Sequence, residues 1–149
     1  MKFRIDVPEE EYEAVKKHLI ERGIELSEDA EYVVSGASRR QAFLTVRSRN
    51  GEHLRIRTDE VIFIEAFGKD IEVHTAEGTF LAGERMYRLE ELLDPKEFLR
   101  VSKSVIIARR HVKKIRPTLS MKYILTMTNG TLVDVTRSYY SDFRRFFGI

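Results

Sequence analysis

Three basic side chains stand where a short strand gives way to a loop or a helix: Arg100, Lys103 and Arg137. Arginine carries a planar fork that pairs bidentately with O6 and N7 of guanine, and lysine reaches the same atoms as a point charge. A second group, Arg109, Arg110, Lys113, Lys114, Arg116 and Lys122, is packed more densely along the chain. Such a run suits a phosphate backbone, where contacts position a protein without reading sequence. The chemistry on offer is recognition of a polyanion. Two plainer readings of the same residues are a solvated basic face and structural ion pairs of Arg100 and Arg137 with Glu65 or Asp134.

Bond-making chemistry has little support. The four histidines, His18, His53, His74 and His111, lack metal-ligand spacing. The chain has no Cys, which removes disulfides, thiolate metal sites and cysteine nucleophiles together. Ser102 and Ser104 have no nucleophile elbow around them, and Asp59-Glu60 is an ordinary acidic step before an apolar strand. There is no Walker or dinucleotide glycine pattern. The expectation is a protein that is not an enzyme and uses neither metal nor cofactor.

The 149 residues, 42% hydrophobic and 34% charged, suit one domain, or a compact domain with a small extension. The formal charge of +2 conceals a gradient. Residues 1–50 hold 9 Lys/Arg against 10 Asp/Glu, residues 51–95 hold 5 against 11, and residues 96–149 hold 12 against 3. The last third therefore carries a strong positive field. No apolar run approaches the ~18 residues of a membrane span, and the start of the chain lacks the apolar core of a signal peptide. A cytoplasmic protein is expected.

The elements that must hold these residues are mostly strands. Residues 1–42 read as a small β-α-β unit. Phe3, Ile5 and Val7 alternate as a strand, and a helix follows Pro8, with acidic Glu9–Glu11 at its start and Gly23 as its stop. Tyr12, Val15, Leu19 and Ile20 form its apolar face, and Tyr32–Val34 make a second strand before a turn-like Ser35–Ser38. The boundary falls at about residues 35–42. Beyond it come short strands at 43–47, 52–57, 61–66, 71–75 and 79–82, with turns at Asn50-Gly51, Phe67-Gly68 and Glu77-Gly78. A helix carrying Met86, Leu89, Leu92 and Leu93 stops before Pro95. Strands resume at 105–108, 112–115, 123–127 and 131–135, with Asn129-Gly130 as a hairpin turn. A closing helix from Tyr139, capped by Thr136 or Ser138, puts Tyr140, Phe143, Phe146 and Phe147 on one side. These aromatics read as helix packing rather than base-stacking platforms.

Three stretches go beyond composition. They are 59–75, containing Val61-Ile62-Phe63-Ile64-Glu65; 98–107, Phe98-Leu99-Arg100-Val101-Ser102-Lys103-Ser104 and the strand after it; and 129–140, running from Asn129-Gly130 through Val135-Thr136-Arg137. In this order and spacing residues 43–149 resemble the LytTR DNA-binding domain of LytR/AlgR-type bacterial transcriptional regulators. The resemblance implies a mainly β class with short helices: an elongated antiparallel β fold, here with the small α/β unit at its N-terminus. It also implies duplex DNA read in successive major grooves by loops at Ala66–Asp70, Arg100–Lys103 and Arg137–Tyr140. Base readers map onto Lys69 or its neighbour Ile71, and onto Lys103 and Arg137. Phosphate contacts map onto Arg100, Ser102, Ser138 and Tyr139, beside the six basic residues of the second group above. The chain departs from the family at Ser102, where His is usual, and at Ile107-Ala108, where Val-Asn is common. No receiver domain is expected.

The family typically binds repeated half-sites, so a homodimer is expected, and its free-standing members are often paired with a restraining membrane protein. Residues 1–42, which carry 7 Lys/Arg against 10 Asp/Glu and so lack a basic stripe, are expected to pair with a second chain or pack on the β domain of their own. Two further functions fit the residues: a β-rich RNA-binding module, and a protein-interaction or sensor module that uses the acidic middle third.

Overall fold

A computed structural model describes residues 1–36 and 42–149, and divides the chain into two compact units, Met1–Arg39 and Arg40–Ile149. Ala37, Ser38 and most of the expected boundary lie outside the described residues.

The first unit is built on a parallel sheet. Strand β1 (Lys2–Asp6) lies between β2 (Glu25–Leu26) and β3 (Tyr32–Ser35), pairing parallel with both. Helix α1 (Glu9–Glu21) connects β1 to β2. Its first turn is acidic, as the positive end of the helix dipole favours. It closes at Gly23, whose φ of +74° is open to glycine, with its N–H donating to Ile20 O at 3.0 Å. The expected apolar face needs one correction: Tyr12, Val15 and Leu19 are half-buried, but Ile20 is 55% exposed. At about 100° per residue Ile20 stands roughly 140° around the helix from Val15, too wide for one narrow sheet to cover both. Strand β2 escaped sequence reading because two residues carry no periodicity. No residue of 1–36 is fully buried, so this unit has a thin core.

The second unit is mainly antiparallel β with short helices. Strands β4 (Phe43–Arg47), β5 (His53–Arg57), β6 (Val61–Phe67), β7 (Asp70–Thr75), β8 (Gly78–Ala82), β9 (Phe98–Arg100) and β10 (Val105–Ala108) form one sheet in the order β5-β4-β8-β7-β6-β10-β9. A second sheet holds β11 (Val112–Pro117), β12 (Tyr123–Met127) and β13 (Leu132–Val135) in sequence order. Helix α2 (Met86–Leu92) follows β8, and α3 (Tyr140–Phe147) ends the chain.

Two hydrophobic cores lie against β6 and β10. One gathers Val46, Val61, Ile64, Val73, Leu89 and Ile106 with their neighbours; the other gathers Ile62, Phe63, Ile107, Leu125, Val135 and Phe143. Val61–Ile64 are all buried because β6 is covered on both faces, which explains a continuous apolar run where other strands alternate. A bulge between Val61 and Phe63 shifts the register against β7 by one residue, so Val61 and Ile64 share one core while Ile62 and Phe63 share the other. Phe143 has no exposed surface and clamps α3 onto the second core, its ring 5.0 Å from Tyr123 and 4.8 Å from Phe147.

The expected cap of the last helix differs. Thr136 precedes a single 3-10 turn (Arg137–Tyr139), and its hydroxyl donates to Val101 O at 3.4 Å rather than capping. Long-range anchoring of the strand end has displaced the local cap.

Candidate nucleic-acid interface

Three loops converge at one end of the second unit. The β6–β7 hairpin turns through Gly68 and Lys69, between the paired Phe67 and Asp70. Gly68 has a φ of +60°, which this two-residue turn requires at its first position. Ala66, beside the turn, donates its N–H to Ser104 O at 2.8 Å, joining this hairpin to the β9–β10 loop. On the other side of that loop, Thr136 N–H donates to Val101 O at 3.0 Å. Two backbone hydrogen bonds thus join the segments carrying Lys69, Lys103 and Arg137. All three side chains are exposed, and each is free of hydrogen bonds and ion pairs among the described residues. The plainer reading of Arg137, an ion pair with Glu65 or Asp134, is not formed among the described residues.

Arg100 is committed to the loop itself. Its Nε donates to Ser102 O at 3.2 Å, its Nη2 to the carbonyl of Lys103, and its Nη1 to Glu90 Oε2 at 3.3 Å. Its carboxylate partner is Glu90, on α2, and not Glu65 or Asp134. Ser102 is 7% exposed, and its Oγ accepts from Ser104 N–H at 3.3 Å. Both residues shape the loop on which Lys103 stands.

The basic run divides in two. Arg109 lies over the Phe146 ring at 5.0 Å and the Phe147 ring at 5.7 Å, a cation–π contact that holds α3. Arg110 sits 3.8 Å from Asp59 and 3.9 Å from Glu97. His111 adds a fixed link, with Nε2 donating to Asp59 O at 3.0 Å and Nδ1 paired with Thr128 Oγ1 at 3.0 Å. The side chains of Lys113, Lys114, Arg116 and Lys122 instead are exposed and without partners among the described residues. Lys114 and Arg116 pair with Thr126 and Ile124, and so face away from the core, while Lys113 occupies an irregularity of the edge strand β11. The register of Pro117 with Tyr123, and of Tyr123 with Val135, carries the β11–β12 turn to the end where Arg137 stands. Lys122 flanks that turn. Of the two remaining candidates, Ser138 is exposed and Tyr139 is half-buried against the second core.

Several residues at this end escaped sequence reading. Phe67 is 68% exposed next to Lys69, where an aromatic on a strand reads as core. Arg85 joins Lys69 and Arg100 around an open cleft of about 700 Å³, which also touches Ile71, Met86 and Tyr87. Leu119 is fully exposed in the β11–β12 turn, and Met121 holds a φ of +56° there. A non-glycine residue in the left-handed region is a sign that could not be read from residue types.

Among the described residues, no group of His, Cys, Asp and Glu could hold a metal ion, and no helix is long and apolar enough to cross a membrane. The arrangement offers solvent-exposed cations on loops tied to a rigid scaffold, suited to reaching into a groove.

Comparison with known proteins agrees with this geometry. The chain is 31% identical over 77 residues to the transcriptional regulatory protein LytR of Staphylococcus aureus, a match covering 52% of this chain and 31% of that protein. It is 37% identical over 90 residues to the CO-responsive transcriptional regulator RcoM of Rhodospirillum rubrum, covering 60% of this chain and 38% of the relative. The chain thus spans about a third of the length of these relatives. The solved LytTr DNA-binding domain of a Bacillus cereus protein superposes with a TM-score of 0.69 at 29% identity, over 73% of this chain and 99% of the other. Residues 51–148 match the LytTr DNA-binding domain, and the chain belongs to that family.

Proposed function

We propose that this chain is a transcriptional regulator that binds duplex DNA sequence-specifically, reading base edges in the major groove with Lys69, Lys103 and Arg137. One observation carries the reading: two backbone hydrogen bonds, Ala66 to Ser104 and Thr136 to Val101, join the three loops that carry these exposed, unpaired cations. Lys113, Lys114, Arg116 and Lys122, with Ser138 and Tyr139 beside Arg137, contact phosphates and set the register. Arg100 and Ser102 hold the middle loop in shape, and Arg109 and Arg110 hold the scaffold. The protein works in the cytoplasm as a homodimer on repeated half-sites, with residues 1–42 as the dimerisation element and 43–149 as the DNA-binding domain.

An RNA-binding reading has less support. Base stacking needs free rings, whereas Tyr139, Tyr140, Phe143 and Phe147 pack on the second core. Titration against salt tests the proposal, with duplex DNA, single-stranded DNA and RNA in competition. Neutralising ~5–8 phosphates gives a slope of log K against log salt of roughly −4 to −7, with duplex preferred. A slope near zero, or a preference for single strands, defeats it.

A further inference from the structure

A second cationic surface lies outside the three loops, on the β4–β5 hairpin. Cross-strand register places Phe43 opposite Arg57, Thr45 opposite Arg55, and Arg47 opposite His53. These six share one face, since Leu44, Val46 and Ile56 between them are buried and Leu54 is half-buried. All six are exposed, and Arg49 adds a fourth guanidinium in the turn. Among the described residues the side chains of Arg47, Arg49 and Arg55 have no hydrogen bond or ion pair; Arg57 is held by Asp59 at 2.9 Å. Arg55 lies over the Phe43 ring at 4.7 Å, which limits its freedom before any partner arrives.

Composition points to the partner. Residues 43–57 contain four Arg, no Lys and a single acid, Glu52. Solvation alone is served equally well by Lys, whereas the planar guanidinium fork matches the oxygens of a phosphate. Same-face residues of a strand repeat at about 6.7 Å, so Arg55 and Arg57 form a row with Arg47 alongside, suited to a linear polyanion. Among the described residues the side chains of Arg47 and Arg49 have no structural partner, and the core is supplied by the inward residues Leu44, Val46 and Ile56.

We propose that this arginine face is a second DNA-contact surface, binding the sugar–phosphate backbone of the duplex outside the base pairs read by the loops. The inference rests on the DNA-binding reading above and adds a surface to it. Contacts to backbone alone contribute affinity and salt dependence but no base discrimination.

The experiment compares wild type with a triple variant, Arg47→Gln, Arg49→Gln and Arg55→Gln, and with the matching triple Lys variant, on a selected operator in a long duplex. Thermal melting checks folding, which these outward side chains do not govern. Losing two or three phosphate contacts makes the salt slope shallower by about 2–3. Hydroxyl-radical protection retreats on one flank of the site, the preference for operator over random DNA is unchanged, and the Lys variant recovers most of the slope. On a duplex trimmed to the read base pairs, the Gln variant and wild type bind alike. If wild type binds but the Gln variant keeps its affinity, slope and footprint, the face does not touch DNA and the inference fails alone. Normal DNA binding by the Gln variant together with a changed sedimentation coefficient, or loss of an acidic protein ligand, overturns it in favour of a protein surface. Absence of salt-dependent binding by wild type removes the underlying reading instead.

Discussion

Readers, positioners and loop-formers should separate under single substitution. Arg137→Ala removes an exposed guanidinium with no structural partner, so the fold should be unaffected while cognate affinity falls by about 1–3 kcal/mol and discrimination between sites flattens. Lys114→Ala should weaken all duplexes nearly equally and reduce the salt slope by about 1. Equal loss on cognate and random DNA for Arg137→Ala would remove it from the readers. His74 offers a test of stability. Its ring stacks on Phe63 at 4.2 Å, and burial lowers its pKa, against the smaller raising influence of Glu72 and Glu65. Its Nε2 is buried without a hydrogen bond, 3.6 Å from Glu72 Oε2. Above the ordinary value of about 6.5 both folded and unfolded states are neutral there and the group exacts no penalty. As pH falls through 6.5 the unfolded chain takes up a proton that the folded ring resists, so stability declines until the lower folded pKa is passed. Denaturation midpoints at pH 7.5 and 5.5 should therefore differ more for wild type than for His74→Gln; equal differences would show that the ring carries no such linkage.

At the scale of elements, legibility followed the period of the side chains. Strands such as β4 and β12 are short apolar-rich runs that bury alternate residues, and their hairpin turns carry Asn-Gly pairs, so their places could be read directly. β9 hid inside a motif because three residues are too few to show a period. The bulge at β6 was invisible because Ile62 and Phe63 are both apolar and only the partner strand reveals the shift. The arginine face is hidden for another reason: the β4–β5 hairpin straddles a nearly neutral stretch, 1–50, and an acidic one, 51–95, whose other residues mask its charge. Period two in His53-Leu54-Arg55-Ile56-Arg57 was the signal that could have found it. For the site, residue types identified the unpaired cations, but only register and packing separated Lys114 from Arg109, or Arg137 from Arg100. Arg100 is the element-level test. Because its guanidinium spans two loop carbonyls and Glu90, Arg100→Lys retains the charge but cannot reproduce the fork. It should lower cognate affinity several-fold with the salt slope unchanged, while amide exchange speeds up around residues 101–104. A wild-type exchange profile in that variant would mean the loop holds its shape without the arginine.

At the scale of the whole molecule, the two units differ in charge and in core. Residues 1–36 carry 5 Lys/Arg against 10 Asp/Glu, so this part has no electrostatic reason to approach DNA. Its apolar side chains are only half covered, with Tyr32 46% and Val33 48% exposed on the edge strand β3 and Ile20 55% exposed on α1. Pairing with the same unit of a second chain would cover such surface and would join two DNA-binding domains. Joined domains gain effective concentration at a double site without any new DNA contact. The second unit has two closed cores of its own, and the solved relative it superposes on is 99% covered by the match, so removing the N-terminal unit should leave the DNA-binding domain folded. Deleting residues 1–42 is therefore expected to preserve affinity for a single half-site while weakening binding to two adjacent half-sites at least tenfold, the loss that a missing tether produces. Sedimentation should show the full chain as a dimer and the deletion variant as a monomer. A full chain that stays monomeric at high micromolar concentration, with double-site affinity unchanged by the deletion, would assign these residues some work other than dimerisation.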